Sequence, residues 1–188
     1  MNDAVSRVYN AVLGPASVVH EIEDDDGPNF DVSEHHDVPA SGAMSLVTRG
    51  LMHVPLCDDC GSMLRQELLM ACWREQFHED LPTLIAVVGR ARAQEGRRLA
   101  WGEVLPPAGS LLPNTAMEAM YVSQPGYFDP ALAKIDGDGE PVRVRWLIPI
   151  HADEASWISE RGHEAFEKLL VDRDPDLLDL DRKSVVSS

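Results

Sequence analysis

Apolar residues recur at Val5, Val8, Tyr9, Val12 and Leu13, the three- and four-residue steps of one helical face. Asn2 or Asp3 can cap the start of this helix, and Gly14-Pro15 ends it. "SVVHEI" (Ser17–Ile22) then reads as a strand, followed by the acidic turn "EDDDGPN". "FDVSEHHDVPA" and "MSLVTRG" read as two further strands joined at Pro39–Gly42. "QELLMAC" (Gln66–Cys72) is a nearly continuous apolar run, as expected of an inner strand covered on both faces.

The pattern returns to helical spacing in "EDLPTLIAVVGRARAQEG", with Asp80 as the cap, Pro82 in the first turn and a buried stripe of Leu81, Leu84, Ile85 and Val88. Trp101–Asn114 is rich in proline and glycine and too long for a hairpin turn, which marks it as a candidate functional surface. "AMEAMYVS" predicts a strand. "KIDGDGEPVRVRWLIPI" predicts a hairpin turning at Asp136–Gly139, with Val142, Val144, Trp146, Ile148 and Ile150 alternating with Arg143 and Arg145. One helix follows, burying Trp157, Ile158, Phe166, Leu169 and Leu170, and an acidic tail from about residue 172 to 188 carries a few apolar anchors. The order of elements predicts one α+β domain over residues 1–188.

Composition supports this and narrows the function. A chain of 188 residues with 44% hydrophobic positions suits one buried core. No apolar run approaches the roughly 20 residues of a membrane span, and the N-terminus lacks the basic-then-apolar order of an export signal. A cytoplasmic setting with reduced cysteines is therefore expected. The net charge of −16, from 32 acids against 16 Lys plus Arg, repels nucleic acid and anionic lipid and favours a basic protein partner.

Several chemical motifs are incomplete. Cys57 and Cys60 form a C-x-x-C pair, but a structural zinc needs four ligands, and Cys72, His53, His35 and His36 do not fall at the spacing of a second pair. The pair also lies in a loop rather than at the helix start that redox work needs. Asp136, Asp138 and Glu140 open a calcium-like loop but meet Pro141 at the glycine position and Leu147 at the twelfth; Asp172, Asp174 and Asp176 meet Leu177 and Lys183. "HEAFE" from His163 ends in Glu167 where a zincin has histidine. His151 at the end of the last strand could serve as an acid or base in principle, but a lone histidine there is more often a helix-edge group; Asp153 and Glu154 are explained by the positive end of a helix dipole. No metal, cofactor or catalytic residue is expected.

Six segments, in order, give the chain a resemblance to the suppressor of fused domain. They are "VLGPASVVHEI"; "SLVTRGLMHVP", like the family's threonine-glycine-methionine loop; and "QELLMAC". "LAWGEVLPP" follows, like its tryptophan-glycine loop, then "RVRWLIPIHADEASWISERGHEAFEKLL" and "DPDLLDLDRKSVV", like its final strand, helix and aspartate-arginine segment. The chain departs from the family where Arg49-Gly50-Leu51-Met52 replaces a serine-glycine-methionine-serine run.

The resemblance implies a mixed, mainly antiparallel sheet flanked by helices, without enzymatic activity. Animal members carry a second domain and hold a transcription-factor peptide between the two as an added strand; stand-alone bacterial members look like immunity proteins that neutralise a cognate polymorphic toxin. An acidic domain binding a basic toxin is the expectation that follows. Candidate contacts are Glu23, Asp24, Asp25 and Asp26 in the acidic turn, and Trp101 and Glu103 in the later loop. The alternatives are a metal- or thiol-dependent enzyme using Cys57, Cys60 and nearby histidines, or a housekeeping interaction scaffold.

Overall fold

Helix α1 (Asp3–Val12) fulfils its apolar stripe by burying Val5 and Tyr9 completely, with Leu13 just beyond its end. The computed structural model that shows this describes residues 3–22, 28–57, 61–107, 109–137 and 139–187. Gly14 stops the helix at φ 76°, a left-handed conformation that a side chain would disfavour.

Nine strands among the described residues form one sheet. They are β1 (Val18–Ile22), β2 (Phe30–His36), β3 (Ala43–Arg49), β4 (Leu56–Cys57), β5 (Met63–Trp73), β6 (Val104–Leu105), β7 (Ala119–Ser123), β8 (Lys134–Ile135) and β9 (Val142–Ile150). The main order is β1-β2-β3-β5-β9-β7-β6, with β4 beside β5 and β8 beside β9. Only the β5–β9 pair among these is parallel, so the sheet is mixed and mainly antiparallel, as the family resemblance implies.

Helices cover both faces. One face packs Val144, Trp146, Ile148 and Tyr121 under α1, α3 (Ala152–Arg161) and α4 (His163–Arg173). The other packs Leu68, Met70, Met120 and Leu147 under α2 (Leu81–Glu95). Strand β5 from Leu68 and strand β9 from Trp146 are therefore apolar on both sides, which explains their near-continuous hydrophobic runs. Within α2, Gly89 admits the Phe30 ring: a Cβ there would lie 2.9 Å from Phe30 Cζ.

Three local expectations change. The helix after β9 is two helices, broken at Gly162, where φ 84° and ψ 158° leave the helical region. Of the five apolar residues assigned to it, Ile158 and Phe166 are fully buried, whereas Trp157, Leu169 and Leu170 are half-buried. Asp80 adopts helical dihedrals and makes no side-chain cap; its carboxylate lies 3.3 Å from His78 Nδ1 instead. The Trp101–Asn114 loop contains the short strand β6, too brief to show any period. The tail is anchored as expected, with Leu178 and Leu180 buried and the Leu178 carbonyl accepting from Trp73 N–H.

Candidate functional site

The Trp101–Pro107 segment is laid against the end of the sheet by its backbone. Gly102 N–H donates to the Val122 carbonyl at 2.8 Å, Val122 N–H returns a bond to Glu103 at 2.9 Å, and Val104 and Leu105 then pair with Tyr121 and Met120. Gly102 has φ 85°, and a Cβ on it would stand 2.4 Å from His163 Cγ. Glycine is required here for both backbone and space.

Trp101, next to that turn, remains 45% exposed. Its indole Nε1 donates to Glu167 Oε1 at 2.6 Å, and the Tyr121 hydroxyl donates to the same oxygen at 2.8 Å. The His163 ring meets Trp101 edge-on at 5.9 Å between centroids. The His163–Glu167 spacing that suggested a metal motif thus places both side chains, one turn apart on α4, against the Trp101-Gly102 turn. Burial, followed by the Glu167 hydrogen bond and charge, pushes the Tyr121 hydroxyl pKa up, so it stays a donor.

Glu103 works inward. It accepts from Arg92 Nη2 at 2.7 Å and from Ala100 N–H at 2.9 Å, tying the loop to the end of α2. Beyond it, Val104, Pro106 and Pro107 face Ala155, Ser156, Ile158, Ser159 and Glu160 of α3 across an open cleft of about 580 Å³. Among the described residues, β6 is the last strand of the sheet and is paired on one side only. The Trp101–Pro107 segment therefore holds an exposed indole, a strand edge and one wall of a largely apolar cleft.

The other sequence candidates are scattered. Glu23, Asp24, Asp25 and Asp26 lie outside the described residues, as do Cys60 and Asp138. Cys57 is half-buried with its Sγ 3.4 Å from Met63 Sδ, while Cys72 is enclosed in the α2-side core, where burial pushes its thiol up to about 12. His35 is bonded to the Gly14 carbonyl at 3.1 Å and Ser33 Oγ at 3.0 Å; His36 instead lies 3.8 Å from Glu34. Among the described residues, no three His, Cys, Asp or Glu side chains are grouped to hold a metal ion. Asp136 pairs with Lys134 at 3.1 Å, and Asp176 receives Trp73 Nε1 at 2.7 Å.

Two buried carboxylates carry more structure than their sequence context suggests. Glu67, inside "QELLMAC", accepts from Thr48 Oγ1, from Gly50 N–H at 2.9 Å and from Met52 N–H at 3.2 Å. It fixes the whole "TRGLM" loop, including Gly50 at φ 114°. Burial raises its pKa to about 7 against the lowering effect of those hydrogen bonds. Glu154, read from sequence as a dipole partner, is fully buried against Arg182. Nearby, His151 N–H donates to Glu154 at 2.9 Å and its Nε2 lies 2.8 Å from the Arg182 carbonyl, so this histidine closes a helix start. For Glu67 the signal available in sequence was an acid inside an apolar run, since such a group must find donors.

Residues 26–183 match the family model described as Suppressor of fused protein. No curated protein matches the sequence. Among solved structures, a suppressor of fused homolog from Neisseria gonorrhoeae superposes with a TM-score of 0.78 at 17% identity, covering 100% of this chain and 97% of that one. The structure of the Sufu–Fu complex gives 0.69 at 18% identity, with 97% of this chain and 89% of that chain covered. Drosophila Suppressor of Fused gives 0.67 at 18%, and the chain spans 50% of its length while 97% of this chain is covered. At these identities the likeness is one of fold. Among the described residues, no helix is long and apolar enough to cross a membrane.

Proposed function

The chain belongs to the suppressor of fused family, and we propose that it acts by protein–protein contact through the Trp101–Pro107 face. One observation carries this reading: a single short segment, Trp101–Pro107, holds the exposed Trp101 indole, the β6 strand edge and one wall of the apolar cleft beside α3. An extended partner segment can add to the free side of β6 while an apolar side chain enters the cleft, combining backbone hydrogen bonds with side-chain selection. The hydrogen bond to Glu167 holds Trp101 in place, so little rotamer entropy is lost when a partner covers it.

The partner we infer is a basic toxin domain, with this chain as its immunity protein. A net charge of −16 draws such a domain in over long range, and the apolar centre then sets the lifetime of the complex. No chemistry is required, since occupying the toxin is enough.

The test is to mix the purified chain with a basic toxin domain encoded beside its gene, and to measure binding by calorimetry and rescue of growth. A stable complex is expected. Trp101→Ala should weaken it by about 30-fold or more, the loss typical of a central aromatic anchor. A complex unchanged by both Trp101→Ala and Leu105→Pro would remove this face from the interface. A neighbouring gene without any toxin domain would favour an interaction scaffold instead.

A further inference from the structure

Arg143 and Arg145 alternate along β9 and so point to one face of the sheet, the face that α2 covers. Gln66, the register partner of Arg143 on β5, is buried, and its amide closes two hydrogen bonds of 2.9 Å with the backbone of Leu99. That clamp holds Arg98 beside the β9 pair. On the other side of Arg143, its register partner on β8 is Lys134, at the exposed rim. Four cationic side chains therefore converge on one end of a sheet in a strongly acidic chain.

Among the described residues, three of the four have no counter-charge. Among the described residues, no hydrogen bond or ion pair satisfies the guanidinium of Arg98, Arg143 or Arg145, and the Nε atoms of Arg98 and Arg145 are buried without a partner. Arg145 is only 8% exposed. Burial and the adjacent charges of Arg143 and Arg98 pull its pKa down to about 10, so it stays charged at neutral pH and is repelled by its neighbours. A buried cation held in this way is unfavourable unless an anion completes it.

We propose that Arg98, Arg143 and Arg145 form a binding site for a small oxyanion of the phosphate class. Planar guanidinium forks match the edges of a tetrahedral phosphate and donate paired hydrogen bonds to it. A carboxylate offers two oxygens and one charge to three arginines, whereas a phosphate offers more of both. Neutralising Arg145 would also remove the repulsion within the cluster. The site does not depend on which protein partner the chain binds.

The experiment is thermal unfolding of the full chain titrated with inorganic phosphate, with sodium chloride added to hold ionic strength constant. Phosphate should raise Tm saturably, as a ligand of the folded state does. Arg143→Gln, at a half-buried position, should weaken the apparent Kd roughly tenfold, as expected for losing one charge-assisted hydrogen bond. Arg145→Met should abolish the phosphate response and raise Tm in its absence, because an unpaired buried charge has gone. A parallel titration with adenosine monophosphate identifies the source: tighter binding than phosphate assigns an esterified group, weaker binding a free one. An equal Tm rise in wild type, R143Q and R145M would mean that phosphate acts only by exclusion from the surface, and would overturn the site. A lower Tm of R145M without phosphate would also overturn it, by showing that Arg145 is already satisfied in the free protein.

Discussion

Arg182 reaches back from the tail to Glu154 in the first turn of α3 and closes two hydrogen bonds, Nη1 to Oε1 at 2.7 Å and Nη2 to Oε2 at 2.8 Å. The side chains are 4% and 0% exposed. Glu154 also accepts from the N–H groups of His151 and Val185, both at 2.9 Å, so one carboxylate joins the end of β9, the start of α3 and the tail. The tail is part of the fold through this pair.

Arg182→Met should destabilise the chain by about 3–5 kcal/mol, because it leaves a buried carboxylate without its cation. The urea midpoint measures this. Adding Glu154→Gln to the same protein should recover part of the loss, since the uncompensated charge is then removed. Equal instability of single and double variants would refute a charge-based role for the pair.

Glu67 predicts a pH dependence. Its folded-state pKa is raised from 4.5 to about 7, so the folded state holds a proton that the unfolded state has released between those values. Stability contributed by this group is fully present below about pH 4.5 and falls as pH rises to about 7, by at most about 1.4 kcal/mol per unit. Glu67→Gln removes the titration. The difference in unfolding free energy, wild type minus variant, should shrink by on the order of 3 kcal/mol from pH 4.5 to 8 and then level off. A difference that stays flat across this window would show that folding does not raise the Glu67 pKa.

Gly102 predicts a steric coupling. Gly102→Ala should cost about 1–3 kcal/mol, partly from φ 85° and partly from the His163 ring. In a His163→Ala background the ring contribution disappears while the backbone contribution remains, so the cost should fall without vanishing. Identical costs in both backgrounds would place the whole effect in the backbone.

Charge predicts association kinetics. Reversing Asp24, Asp25 and Asp26 to lysine should slow association with a basic toxin domain at low salt and flatten its salt dependence, with a smaller effect at about 0.5 M salt. Stopped-flow association rates give the answer. An unchanged low-salt rate would exclude the acidic turn from steering.

The sequence by itself determined which residues meet apolar surroundings. The period of three to four in α1 and α2, the alternation in β9 and the unbroken apolar run in β5 follow from how each backbone presents its side chains, and the structure places those elements accordingly. Turn chemistry was legible for the same local reason, as at Gly14 and in the β8–β9 hairpin. The Trp101–Pro107 segment could be singled out by composition, but its strand β6 could not, because two residues carry no period.

Tertiary structure decided what depends on remote neighbours. Nothing local distinguishes Glu154 at a helix start from any exposed acid until Arg182 is brought to it from 28 residues away. Likewise Glu67 is a lone charge in a strand until β3 delivers Thr48 and Gly50 to it. In sequence, Arg143 and Arg145 only alternate with the apolar positions of β9. The parallel pairing of β5 with β9 and the covering of that face by α2 are what enclose them. Hydrophobic period depends on the backbone's own geometry, whereas the pairing of charges depends on which strands become neighbours, and that is settled only when the whole sheet closes.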